Sequence, residues 1–217
     1  MILIPVKNLV TAKQRLASLL SQAVRTELAQ VMLLDVLDAV AGFSNRPHVS
    51  LVTSDRFAVD TARQFGFDVI PDNQNRSETD AIEMATRICE ARGIDYTLVI
   101  PADIPLIQSS ELEIILASAP DRGSLLVPAS DGRGTNAAFR RPAGLFPLRF
   151  GNDSFKPHLA SAQATGLPCT VLSLPGIGLD IDNPSDLRQL VDSPGETRSQ
   201  RLARHWDLSD LSLAANE

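Results

Sequence analysis

The sequence predicts an α/β fold: a single domain with a mostly parallel mixed sheet flanked by helices. Three observations support it. Short β-branched runs alternate with helical patterns along most of the chain, the order that builds βαβ units. The chain has 217 residues, enough to bury a real core in one domain. No internal repeat or low-complexity block interrupts residues 1–192.

The elements follow in order. Strands are expected over 1–6, 48–53, 68–70, 96–100, 124–129, 137–140 and 170–174. Helices are expected over 22–41, 57–65, 79–92, 109–118, 154–165 and 184–192. Ser21 suits the cap of the first long helix and Ser109 that of the fourth. Pro184, just after Asn183, suits the first turn of the last of these helices. Ser193-Pro194-Gly195 is a break, so residues 193–217 read as a loosely held C-terminal extension with one amphipathic helix over 196–206.

Composition excludes several function classes. Hydrophobic residues make up 44%, and no apolar run is long enough to span a bilayer. The start lacks the basic leader and long apolar region of a signal peptide, so the expected location is cytoplasmic, away from membranes. A net charge of −6 and only one Trp and one Tyr argue against nucleic acid as a partner. Cys89 and Cys169 are far apart and have no metal-ligand spacing; Cys89 reads as a core residue. The sequence is compatible with a homodimer but does not indicate one.

Five segments carry chemistry. Residues 5–16 bring Lys7, Lys13 and Arg15 into the loop after the first strand, where phosphates are commonly held. The glycines of a Walker A loop are absent there. Asp103 follows the strand at 96–100. Asp180 and Asp182, one residue apart, point the same way in an extended segment and turn Ile181 into the core. Two such acids repel unless a cation neutralises them, and a divalent cation needs hard oxygen ligands from more than one part of a fold. Each acid also has a plainer reading as a turn or cap residue, with Asp182 or Asn183 capping the next helix.

Residues 131–138 put two glycines, Arg133, Thr135 and Asn136 in a turn whose N–H groups, hydroxyl and amide would form an anion-binding concavity. Residues 150–158 read as a helix start with Asp153 or Ser154 as cap, a place that favours an anion. His158 in its first turns is given no proton-transfer role. No nucleophile–base arrangement is visible, which suits a reaction whose nucleophile is already anionic.

On these segments the chain resembles the guanylyltransferases that make the guanylated precursor of coenzyme F420, joining GTP to 2-phospho-L-lactate, phosphoenolpyruvate or 3-phospho-D-glycerate. The matching blocks are Ile4-Pro5-Val6-Lys7 with Ala12-Lys13-Gln14-Arg15-Leu16, Pro101-Ala102-Asp103-Ile104-Pro105-Leu106, Gly134-Thr135-Asn136-Ala137, Phe150-Gly151-Asn152-Asp153-Ser154-Phe155, and residues 175–182. They occur in the family's order. The resemblance implies a Rossmann-like nucleotidyltransferase fold of the kind shared with GT-A glycosyltransferases, with Mg²⁺ as cofactor and GTP as co-substrate. It makes Asp103, Asp180 and Asp182 the metal ligands, and Lys13 and Asp103 the residues of the reaction itself. It makes Lys13, Thr135, Gly151 and Ser154 the holders of the phosphorylated acid, and Lys7 and Arg15 the triphosphate contacts. Many relatives carry Gly-Leu-Asn-Ala where this chain has Glu78-Thr79-Asp80-Ala81, so Asp80 is expected near the base or ribose, where a carboxylate can still accept from guanine. Molybdopterin-cofactor or sugar-phosphate nucleotidyltransferases are an alternative, disfavoured because Lys7-Asn8-Leu9 stands where they carry glycines. A non-catalytic nucleotide-binding domain is a third reading.

Overall fold

A computed structural model describes residues 1–206 apart from Asn75 and Asn152. Seven strands form one sheet: β1 (Ile2–Pro5), β2 (Val49–Thr53), β3 (Asp68–Pro71), β4 (Thr97–Val99), β5 (Gly123–Pro128), β6 (Thr135–Arg141) and β7 (Cys169–Val171). Their order is β3-β2-β1-β4-β6-β5-β7. Only β6 runs against its neighbours, pairing antiparallel with β4 and β5. The other pairs are parallel. The helices are α1 (Gln22–Ala41), α2 (Arg56–Gln64), α3 (Glu78–Ala91), α4 (Ser109–Ser118), α5 (Phe155–Ala164), α6 (Pro175–Gly178), α7 (Pro184–Asp192) and α8 (Arg198–Arg204).

Strand β1 shows why the sheet is covered on both sides. All four of its residues are buried. Ile2 and Ile4 join one apolar cluster, with Leu28, Ala58, Leu112, Leu187 and Ala203 from the helices. Leu3 joins another, with Ile82, Ala85 and Cys89 of α3 and Ala162 of α5. Alternate side chains of a strand point to opposite faces, so a run apolar at every position needs a helical layer on each side. Central β1 and β4 are parallel neighbours, and their carboxyl ends open at the same edge of the sheet. That edge receives the loop carrying Lys7, Lys13 and Arg15 and the loop carrying Asp103.

The expected strands and six expected helices are present, within a residue or two for most boundaries. Three points differ. Ser109 is not the cap of α4: Gln108 is, and its N–H donates to Glu111 at 3.1 Å, while the Ser109 hydroxyl donates to the Ala39 carbonyl. The short helix α6 was not anticipated; its Gly176 N–H donates to the buried Glu111 carboxylate at 2.8 Å. Finally, part of the C-terminal extension, Arg198–Arg204, is a helix held against the rest of the protein. Helix α8 docks on α1, where the Asp35 carboxylate accepts from the N–H groups of Arg198 and Ser199, each at 2.9 Å, and from the Ser199 hydroxyl at 2.6 Å. The extension expected to be loose is therefore packed through Trp206. Its last residues, 207–217, lie outside the described residues. Among the described residues no helix is long and apolar enough to cross a membrane.

Candidate active site

Two clefts, of about 400 and 480 Å³, meet at the open edge of the sheet. The first is lined by the loop after β1, with Lys7, Asn8, Lys13 and Arg15. The second is lined by the β5–β6 turn, the segment before α5 and the segment before α7, with Arg133, Thr135, Gly151, Ser154 and Asp180. Arg15, Glu78, Pro101, Asp103 and Asp182 line both and form the wall between them.

Lys13, expected to hold the acid, lines the first cleft and not the second, and it ties two residues of that wall together. Its ammonium donates to Asp103 Oδ2 at 2.6 Å and to Asp182 Oδ1 at 3.0 Å, joining residues 90 and 169 positions away. Its side chain is 7% exposed, while those of the two acids are 30% and 41% exposed. Burial alone would lower the Lys13 pKa; the two carboxylates overcome it and hold the amine firmly protonated. Burial pulls Asp182 upward, but the Lys13 charge outweighs it and keeps this carboxyl below the ordinary range. The Lys13 backbone lies in the left-handed region at φ 55°, between two single-turn helices over Leu9–Thr11 and Gln14–Leu16. A non-glycine residue there carries on the order of 1 kcal/mol of strain. Arg15 adds a longer contact to Asp182 Oδ2 at 3.4 Å.

Asp182 is free for this role because Asn183 is the cap. The Asn183 side chain accepts from the N–H groups of Ser185 and Asp186, at 2.8 and 3.2 Å. Asp180 points the same way as Asp182, with Ile181 fully buried between them. Its carboxylate accepts from the Asn136 amide at 3.0 Å. Burial pushes Asp180 up to about 6, against the pull of that hydrogen bond and with help from Asp103. The Asn136 amide also donates to the carbonyls of Ile177 and Gly178. It is thus committed to the acid and is not the anion donor expected of the 131–138 turn.

The three acids share one cleft, yet among the described residues no group of three His, Cys, Asp or Glu side chains stands in an arrangement that could hold a metal. Asp103 and Asp182 are drawn to Lys13, and Asp180 is drawn to Asn136.

Lys7 lines the first cleft and pairs with buried Asp72 at 2.6 Å. Thr135 and Ser154 are buried with their hydroxyls 3.4 Å apart, and both line the second cleft with exposed Gly151. Gly151 has φ 139°, a conformation that L side chains rarely adopt. Arg133 sits at this cleft's rim in a bidentate pair with Asp153, 2.6 Å from Nε. Ser154 occupies the α5 cap position without a side-chain cap bond, and its hydroxyl is directed at Thr135 instead.

Asp80 is the site residue that the structure does not bring in. It is exposed and lines neither cleft. Ser77 caps α3 by accepting from the Asp80 N–H at 3.0 Å, which turns position 80 outward and position 78 inward. Glu78 is therefore the carboxylate of this helix start that faces the cleft. Burial, and then the Asp103 charge, push it up to about 7, with Lys7 and Lys13 pulling the other way. Sequence reasoning passed over it; the cap at Ser77, had it been recognised, would have set the register.

A family model described as guanylyl transferase, CofC-like, matches residues 1–209 of the chain. A phosphoenolpyruvate guanylyltransferase of Roseiflexus castenholzii is 35% identical over 204 residues, covering 94% of this chain and 93% of that one. A 2-phospho-L-lactate guanylyltransferase of Methanothermobacter thermautotrophicus is 31% identical, covering 87% and 82%. A 3-phospho-D-glycerate guanylyltransferase of Colwellia psychrerythraea is 32% identical, covering 94% and 97%. Among solved structures, a Desulfovibrio desulfuricans protein assigned to the nucleotide-diphospho-sugar transferases superposes with a TM-score of 0.76 at 18% identity, covering 97% and 95%. The synthetase that forms CMP-linked 2-keto-3-deoxy-manno-octonic acid, bound to CTP, superposes with 0.58 at 13% identity, covering 88% and 95%. At these identities the structural likeness speaks for the fold alone.

Proposed function

The chain belongs to the CofC-like guanylyl transferase family, and from that premise we propose that it transfers GMP from GTP to the phosphate of a small phosphorylated acid, releasing pyrophosphate. Phosphoenolpyruvate, 2-phospho-L-lactate and 3-phospho-D-glycerate are the candidate acceptors, since relatives carry those names. A place in coenzyme F420 biosynthesis, in the cytoplasm, goes with this reading.

One observation carries it: a buried lysine joins two acids in the wall between a cation-lined cleft and a hydroxyl-lined cleft. The first cleft suits the triphosphate, with Lys7, Lys13 and Arg15 as its cations. The second suits the acid, whose anionic oxygens meet the Thr135 hydroxyl and the backbone at Gly151, with the Ser154 hydroxyl beside Thr135. A phosphate oxygen of the acceptor attacks the α-phosphorus of GTP in line, forming a P–O–P bond, and the bond to the β-phosphate oxygen breaks. The acceptor phosphate is anionic at neutral pH, so no base need take a proton. What remains for the protein is positioning and relief of charge on the leaving pyrophosphate.

The donor set fits Mg²⁺ in kind, since Asp103, Asp180 and Asp182 supply hard carboxylate oxygens to one cleft. Lys13 stands where a cation would otherwise balance Asp103 and Asp182. The ion, when bound, would neutralise phosphate charge and orient phosphate oxygens. Lys13 would then shift part of its charge from the acids to the phosphates.

The test is pyrophosphate release from GTP and Mg²⁺ with each acceptor in turn, with the product identified by mass. A GMP adduct with one acid is expected. No adduct with any of them from folded protein overturns the reading.

A further inference from the structure

We propose that His158 is a positioning residue for the acceptor acid: it commits the Thr135 hydroxyl to act as a hydrogen-bond donor in the second cleft. The proposal rests on the acceptor reading above and adds a residue to it.

The geometry fixes the imidazole's protons. Nε2 of His158 accepts from the Arg149 N–H at 2.7 Å, so this nitrogen carries a lone pair. The neutral ring's single proton is therefore on Nδ1, which lies 2.9 Å from Thr135 Oγ1. Thr135 must accept that bond. The Ser154 hydroxyl is directed at the same oxygen from 3.4 Å. With its acceptor sites facing His158 and Ser154, Thr135 has one group left to offer, its own proton.

His158 is 1% exposed and Thr135 6% exposed, so bulk water does not compete for these positions. Phe150, which lines the cleft, packs edge-on against the imidazole with centroids 5.4 Å apart and holds the ring's plane. A lone threonine hydroxyl can donate or accept. Backed by His158 it becomes a fixed donor, selective for an anionic oxygen of carboxylate or phosphate. The register irregularity between Val127 and Pro128, opposite the start of β6, is where the sheet turns Thr135 toward the cleft.

Three variants separate positioning from packing. His158→Asn keeps a donor near the Nδ1 position. His158→Gln carries its amide to the Nε2 position, where it serves Arg149 and abandons Thr135. Thr135→Val removes the hydroxyl. The acceptor KM is expected to stay within about threefold of wild type for His158→Asn and to rise roughly three- to tenfold for His158→Gln, because the hydroxyl regains its rotor freedom. It should rise about ten- to a hundredfold for Thr135→Val, the loss of a hydrogen bond to a charged group. The KM for GTP should not move, and His158→Gln should add nothing to Thr135→Val.

A long-range ¹⁵N–¹H spectrum of the wild-type protein should show His158 as the Nδ1–H tautomer, which keeps the proposal testable even where the His158 variants do not fold. An Nε2–H tautomer, an unchanged acceptor KM in His158→Gln, or an equal rise in both substrates' KM overturns it. A wild-type protein that forms no adduct with any acid instead overturns the proposed function.

Discussion

Lys13 does at the residue scale what no inspection of neighbouring sequence reveals, because its partners lie 90 and 169 residues away. Its assignment to the reaction and to the acid came from resemblance, and its pairing with Asp103 and Asp182 came only with the fold. Lys13→Met should cut kcat/KM at least about a hundredfold, the usual loss on removing one preorganised charge-stabilising group. It should destabilise the protein by about 1–3 kcal/mol, since Lys13 is buried but both acids it leaves unpaired are partly hydrated. Steady-state kinetics beside a urea titration checks both halves. The extended Asp180-Ile181-Asp182 pattern was legible because alternation is a local property. Glu78 was not, because its importance comes from facing the cleft. His158 gives a pH signature. Burial, followed by the nearby Arg140 charge, lowers it from an ordinary 6.5 to about 4. Between those values the unfolded chain binds the proton and the folded one does not. The stabilisation is therefore complete above about 6.5 and is lost as pH falls toward 4, on the order of 3 kcal/mol in all. Urea midpoints of wild type and His158→Asn should converge over that window; a gap that stays constant with pH would remove this assignment.

At the scale of elements, helix ends decide which acids are available for chemistry. Asn183 caps α7 and Ser77 caps α3, so Asp182 and Glu78 face the clefts. The strands and long helices could be read from apolar periodicity, because burial on a parallel sheet imposes it. The caps were harder. Several polar residues compete at each helix start, and the winner depends on what the rest of the protein offers, as at α4, where Glu111 serves both Gln108 and Gly176. The four-residue α6 is too short to leave a period. Helix α8 has a local cap, Thr197, which accepts from the Gln200 N–H, and a long-range one, Asp35. Asp35→Ala leaves two backbone N–H groups and a buried hydroxyl without their partner, and should destabilise the protein by about 1–3 kcal/mol. Limited proteolysis should then cut first between α7 and α8. Cleavage unchanged from wild type would show that α8 is held without Asp35.

For the whole molecule, the fold class was legible because alternating strands and helices admit few topologies. The antiparallel β6 and the docking of residues 193–206 were not, since both are settled by distant packing. Trp206, the only tryptophan, packs on the main core cluster and reports on that docking. Its fluorescence and the far-UV circular dichroism should share one urea midpoint; an earlier fluorescence transition would restore the loose extension. The central claim is that the wall of Lys13, Asp103 and Asp182 unites two clefts into one guanylyl-transfer site. The most direct measurement follows ³¹P signals in a mixture of GTP, Mg²⁺ and each acceptor acid, with wild type and with Asp182→Asn. With one acid, wild type should produce pyrophosphate and a new pair of coupled diphosphate resonances, and Asp182→Asn should slow both at least about a hundredfold. Equal rates in the two proteins, or GTP left intact by folded wild type with every acid, would contradict the account.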